Sequence, residues 1–253
     1  MQIENTTAMI PPPIEPDPDR DHSTKITINL SMDEMATTQE IPPQSMTPRS
    51  LYFAYGSNLS FTQMRLRCTG NPDRSSKPIA IARLDHWRWL ICQAGYANVV
   101  PPAALRVSKE FEDFGDEVPV SGDEDAVFGV LFDMDVADEK LLDVHEGVDH
   151  HAGPSQHPDR VPVSVRPTEQ GQGDYNKWYV PATVTTWLDE EHQRRWGGDV
   201  VNILVYVDEN RARVSAPKVE YISRMNRAIR EAETIGFPKK WAEDVMRKSI
   251  PLV

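Results

Sequence analysis

The chain is divided by runs of apolar residues that stop abruptly at glycine, proline or small polar residues. Leu51-Tyr52-Phe53-Ala54-Tyr55 is unbroken until Gly56-Ser57-Asn58, which predicts a buried strand followed by a turn. Ser60-Phe61-Thr62-Gln63 has the spacing of a capping box and opens a helix that runs to Cys68. Ile79–Ala82, Trp87–Cys92 and Ala97–Val100 read as strands, the last ended by two prolines, and Val127–Phe132 resumes as an apolar strand. Asp135 is placed to cap a helix with Asp138 and Glu139 in its first turn and Gly147 just past its end. Val161–Arg166, Val180–Leu188 and Val200–Val207 read as further strands. Ile222, Met225, Ile229 and Ala232 recur at helical spacing within Lys218–Thr234, and Gly236-Phe237-Pro238 separates this helix from one over Pro238–Ser249.

Two segments lack any such period. Residues 1–50 contain none of the aromatics, eight of the 21 prolines, and eight acidic residues against three basic. A segment of that composition cannot bury enough apolar surface to offset its ordering entropy, so a disordered acidic tail is expected, with Lys25–Leu30 offering a short strand to a partner. Residues 101–125 carry eight acidic and two basic residues with scattered Gly and Pro, which predicts an acidic surface loop inserted into a catalytic domain spanning 51–253.

Bulk properties narrow the function classes. The 253 residues suffice for one full hydrophobic core plus a tail. A formal net charge of −12, with no basic patch in view, opposes binding to a nucleic-acid backbone. No apolar run approaches the roughly 20 residues that span a bilayer, and the N-terminus lacks a charged-then-apolar signal pattern. Cys68 and Cys92 have no CxxC spacing and fall inside a predicted helix and strand, which predicts buried reduced thiols in a soluble, cytoplasmic protein. Neither GxxxxGK[ST] nor GxGxxG occurs, so no nucleotide cofactor is implied.

Local chemistry concentrates at two places. A strand, a glycine able to take positive φ and a helix start direct several N–H groups at one spot, which suits a small anion such as an α-carboxylate. Glu146 falls beside a helix C-terminus, where unpaired carbonyls raise a carboxylate's pKa and favour a role as base. His150, His151 and His157 lie in a Gly-Pro-rich loop near His145 and Glu146, but the spacing is not that of a zincin, and a polar loop is expected rather than a metal site. Trp87 and Trp89 alternate onto one face and are expected in the core.

The string Tyr52-Phe53-Ala54-Tyr55-Gly56-Ser57-Asn58-Leu59 resembles the signature of the γ-glutamylcyclotransferase family. The ordered block Val127–Phe132 followed by Leu142-Asp143-Val144-His145-Glu146-Gly147 resembles that family's strand, helix and catalytic Glu-Gly. The resemblance covers roughly residues 51–250. It implies an α+β fold, a small mixed β-barrel with flanking helices, in which the block of strands from Ile79 to Val100 forms part of the barrel wall. It implies a cofactor-independent conversion of γ-glutamyl compounds into 5-oxoproline and a free amine, with Glu146 as the proton carrier. It assigns Tyr52, Phe53, Ala54, Tyr55, Gly56 and Ser57 to substrate binding, adds Tyr221 after Pro217, and places Tyr206 near the pocket. The substrate is then a γ-glutamyl amino acid. Glutathione or a glutathione conjugate of fungal sulfur metabolism is the alternative, and a non-catalytic γ-glutamyl-binding protein is the competing class. Relatives include dimers, which leaves a homodimer open.

Overall fold

In the computed structural model, which describes residues 50–107 and 126–253, five strands close into a barrel in the order β1-β5-β2-β6-β7. These are β1 (Leu51–Ala54), β2 (Pro78–Asp85), β5 (Ala126–Phe132), β6 (Asn176–Trp187) and β7 (Val200–Val207). Closure comes from β1 running parallel to β7, Leu51 opposite Ile203, while every other neighbouring pair in the barrel is antiparallel. Closure removes the sheet edges that would otherwise template association. Five barrel strands flanked by helices give the α+β class expected from the sequence.

β3 (Arg88–Ile91) and β4 (Ala97–Val100) do not join the barrel. They pair with each other as a separate hairpin, so of the block expected in the barrel wall only its first strand, β2, is there. Its anchors are side chains. Trp89 Nε1 donates to the carbonyl of Tyr55 at 3.0 Å, and Asn98 Nδ2 donates to the carbonyl of Asp208 at 2.8 Å. Trp87 and Trp89 are both buried, Trp87 packing edge-on against Trp178.

Val161–Arg166 is not a strand. The N–H groups of Val165 and Arg166 both bond to the carbonyl of Pro162, at 2.8 and 3.0 Å, so the chain turns where the Val-Pro-Val-Ser-Val alternation suggested extension. Proline favours turn starts and cannot donate to a ladder. Arg166 is drawn inside instead, where its guanidinium meets Glu169 and Glu209. β6 begins earlier than expected, at Asn176, because that side chain belongs to the same buried cluster.

The helices are α1 (Phe61–Arg67), α2 (Pro72–Ser75), α3 (Val136–His145), α4 (Glu190–Trp196), α5 (Val219–Thr234) and α6 (Lys239–Asp244). α6 gives way to a 3-10 turn at Met246, short of the helix expected to Ser249. The buried stripe of α5 begins at Tyr221 and continues through Met225, Ala228, Ile229 and Ala232, with Ile222 only partly covered. Ser60 caps α1 by accepting from Gln63 N–H. Gln63 does not return a bond to Ser60, because its amide donates to Ser57 Oγ and Asn58 Oδ1, both at 2.8 Å. Glu231 of α5 completes that helix start, accepting from Ser60 Oγ at 2.9 Å and Thr62 N–H at 3.0 Å, an anion where the helix dipole favours one.

Cys68 and Cys92 are free and buried. No helix among the described residues is long and apolar enough to cross a membrane. The expected tail, its Lys25–Leu30 strand and the body of the acidic insertion at 108–125 lie outside the described residues.

Candidate active site

A cavity of about 450 Å³ opens where the end of β1, the C-terminus of α3 and the start of α5 meet. Tyr52, Tyr55, Gly56, Ser57, Glu146 and Tyr221 all line it, although Glu146 and Tyr221 lie far from the glycine turn in sequence. Phe53 and Ala54 do not. Both are fully buried, and Phe53 packs so closely across Gly129 that a Cβ there would sit 2.5 Å from the ring, so these two belong to the core beneath the site. Tyr206 does not line the cavity either, because its hydroxyl turns away to donate to Asp143 at 2.7 Å.

Gly56 departs from the expected positive φ. Its φ is −118°, and the turn after it is a single 3-10 turn, Ser57–Leu59. What the position requires is space: a Cβ would lie 2.9 Å from Tyr221 Oη and 3.2 Å from Ala97 Cβ. Among the described residues, the N–H groups of Gly56 and Asn58 find no acceptor within the chain, whereas Ser57 N–H donates to Tyr221 Oη at 3.2 Å.

Glu146 caps the C-terminus of α3 in a Schellman arrangement, with Val148 N–H bonded to the Asp143 carbonyl at 2.9 Å and Gly147 at φ 63°. The helix is gripped along its length. Asp138 accepts from Gly70 and Asn71 N–H and from Ser75 Oγ, while Asp143 accepts from Tyr206 Oη and Lys177 Nζ. The carboxylate is therefore delivered from a fixed support. Its Oε1 accepts from Arg67 at 2.7 Å and from Asn58 Nδ2 at 3.0 Å, and its Oε2 accepts nothing among the described residues. The helix-end placement agrees with the sequence reading, and the arginine beside it does not appear there.

Tyr52, Tyr55, Tyr96, Tyr175 and Tyr221 line the cavity and Tyr206 backs it. Burial pushes the phenols of Tyr52, Tyr55, Tyr175 and Tyr206 well above their ordinary range, with the Glu146 charge adding to each. Burial likewise lifts Tyr221 to about 12, although the Ala97 and Ser57 amides work against it. These five are neutral hydrogen-bond donors near neutral pH. Three spend the proton internally: Tyr55 on the Tyr206 carbonyl at 2.6 Å, Tyr175 on the Ala97 carbonyl at 2.9 Å, and Tyr206 on Asp143. Tyr221 and Tyr52 instead accept, from Ser57 N–H and from Asn58 Nδ2 respectively, which leaves both protons for a guest.

The lining charge reverses that of the whole chain. Arg67, Arg211, Lys218 and Arg224 face two carboxylates, Glu146 and Asp174, within a protein of net charge −12. His145 adds no charge near neutral pH, since partial burial and then Arg67 hold its pKa below the ordinary value. Such a cavity attracts anions.

The sequence reading missed Asn58, Arg67, Tyr175 and Arg224. Asn58 directly follows Ser57. Arg224 falls three residues after Tyr221 on one helix face and donates to Ser57 Oγ at 2.8 Å, a spacing that carried the signal. Arg67 and Tyr175 reach the cavity only through the tertiary fold and carried none.

No family model matches the chain, and no curated protein matches it. Among solved structures it is similar to a γ-glutamyl cyclotransferase at 18% identity, covering 81% of this chain and 89% of that chain, with a TM-score of 0.46. It is similar to the YkqA protein of Bacillus subtilis at 15% identity and a TM-score of 0.47, covering 80% of this chain and 55% of the other. It is also similar to a γ-glutamyl cyclotransferase specific to glutathione from yeast, at 13% identity and a TM-score of 0.40, covering 75% and 88%.

Proposed function

We propose that this protein cyclises γ-glutamyl compounds to 5-oxoproline and releases the amine attached at the γ-carbonyl. The observation that carries the reading is the uncommitted Oε2 of Glu146 on the wall of a basic, tyrosine-lined cavity, beside a turn that resembles the family signature. The α-carboxylate of the substrate sits against Gly56 and Asn58 N–H, within the positive lining. Glu146 Oε2 removes a proton from the α-ammonium, and the freed amine attacks its own γ-carbonyl carbon. Nucleophile and electrophile share one molecule, so holding it curled supplies much of the rate.

As the new C–N bond forms, the carbonyl oxygen becomes an oxyanion, and the Tyr221 hydroxyl is the donor free to meet it. Glu146 returns its proton to the departing nitrogen as the original C–N bond breaks, then passes the second proton from the ring nitrogen to the released amine, which leaves 5-oxoproline, the amine as its ammonium and the starting carboxylate. γ-Glutamyl amino acids are the substrates this reading favours, with glutathione and its S-conjugates tested beside them. Release of 5-oxoproline from γ-glutamylalanine, glutathione or an S-conjugate, followed by mass spectrometry, is the expected result. No release from any of the three would refute the reading.

A binding protein is the second reading, and the Arg67–Glu146 ion pair at 2.7 Å favours it, because that contact already occupies one carboxylate oxygen. Tight binding of γ-glutamylalanine without 5-oxoproline would select it.

A further inference from the structure

Three of the four cations lining the cavity are already balanced by carboxylates. Arg67 pairs with Glu146 at 2.7 Å, Arg211 with Asp174 at 2.8 Å and with Asp208, and Arg224 with Glu220 at 3.5 Å. Lys218 is different. Its ammonium has no carboxylate within ion-pair distance among the described residues. Glu220, two residues on, is engaged by Arg224 and by the Tyr96 hydroxyl at 2.9 Å.

The lysine is nevertheless held in place. Its Nζ stands 4.4 Å from the centre of the Tyr96 ring and donates to Tyr96 Oη at 3.2 Å. Its backbone N–H bonds to the Gly95 carbonyl at 3.0 Å, and its Cγ packs where a Cβ on Gly95 would lie, 2.7 Å away. Its carbonyl accepts from Tyr221 N–H at 2.9 Å, so Lys218 starts the helix that carries the tyrosine. An exposed cation that lines a cavity, rests on an aromatic ring and has no carboxylate partner is a site for a second negative charge.

We infer that Lys218 is the residue that receives the carboxylate of the leaving amine and so discriminates γ-glutamyl amino acids from γ-glutamyl amines that lack it. This inference rests on the cyclisation reading for the orientation of the guest: the glutamyl head lies at the Gly56 turn and the amine portion extends along the wall toward Tyr96 and Lys218. The carboxylate takes one charge-assisted bond from Lys218, with the Tyr96 ring as a floor beneath the ammonium.

γ-Glutamylalanine and γ-glutamylethylamine differ only by that carboxylate, and they provide the test. Binding of each is measured by calorimetry in a Glu146→Gln background to suppress turnover, with Lys218 intact, as Lys218→Gln, and as Lys218→Arg. The expected result is about tenfold tighter binding of γ-glutamylalanine with Lys218 intact. That preference disappears in Lys218→Gln, returns in Lys218→Arg, and binding of γ-glutamylethylamine stays the same throughout. Equal affinities with Lys218 intact, a preference that survives Lys218→Gln, or equal weakening of both ligands would overturn the inference. Failure of the cyclisation reading looks different: the carboxylate preference is present, and no 5-oxoproline forms from either compound with the unmodified chain.

Discussion

Two arginine–glutamate contacts, one half-buried at the cavity and one buried beneath the chain turn at Pro162, are built from the same groups and finished differently. At the turn, Arg166 donates to both oxygens of Glu209 and both of Glu169, while Glu209 Oε1 also accepts from Asn176 Nδ2 and Trp178 Nε1 and Glu169 Oε1 from Gln156 N–H. All four oxygens have a donor. At the cavity, Arg67 and Asn58 address a single oxygen of Glu146 and leave the other unmet. The closed cluster holds a loop against the barrel, and the open one presents an acceptor to whatever enters. A buried charged group left partly unsatisfied costs stability, so the open end is the better mark of chemistry.

The sharpest way to break the comparison is to remove the open oxygen. Glu146→Gln is expected to lower 5-oxoproline release by about 10²–10⁴-fold. The same variant should leave the urea midpoint nearly unchanged, since only one partly covered ion pair is lost. Retained turnover in the folded variant would remove Glu146 from the reaction. The converse is Arg166→Met. It strands two carboxylates under a side chain only 1% exposed, and should cost about 3–5 kcal/mol in equilibrium unfolding while any protein that folds keeps its turnover number. A smaller effect is expected from Tyr221→Phe, about 10²-fold in kcat with KM little altered, because the donor acts on the developing oxyanion.

Titration separates the two regions without mutation. Glu169 is held below its ordinary value of 4.5, first by the Arg166 bond, so the folded form gains from its ionisation above that pH. That gain is lost as the pH falls through the lowered value. On the alkaline side the signs reverse. Cys68, raised by burial to about 12, and the buried tyrosines stay protonated in the folded chain while their unfolded counterparts ionise from about 9 to 10. The unfolded state then binds fewer protons, and stability falls between about pH 9 and 12. Urea midpoints measured from pH 3 to 12 should show a plateau bounded by acid loss at the closed cluster and alkaline loss around the cavity. A midpoint still rising at pH 11 would contradict the second assignment.

Much of this arrangement was legible in the sequence because it is local. The apolar run at Leu51, the cap at Asp135 and the glycine after Glu146 each define an element end within a few residues, and each lies where the pattern places it. The misreadings have two sources. Val161, Val163 and Val165 alternate as a strand would, but the turn at Pro162 leaves Val163 51% exposed and draws Arg166 inward. Phe53 sits inside the signature string and points into the core. Gly56 was expected to bend the backbone, and it makes room for the hydroxyl of Tyr221 instead. For Phe53 and Gly56 a partner distant in sequence decides the outcome, whereas at Val161 the deciding residue, Pro162, lay within the alternating run itself. Arg67 and Tyr175 were invisible for the first of these reasons.

The cavity wall draws on residues scattered from Tyr52 to Arg224, and its final portion is the start of α5. A ribosome therefore releases most of the barrel before the last contributors exist, and a nascent chain stopped at β7 holds Glu146 without Tyr221 or Lys218. The cavity is complete only once α5 has been made, when it docks against the glycine turn and Glu231 reaches the first turn of α1.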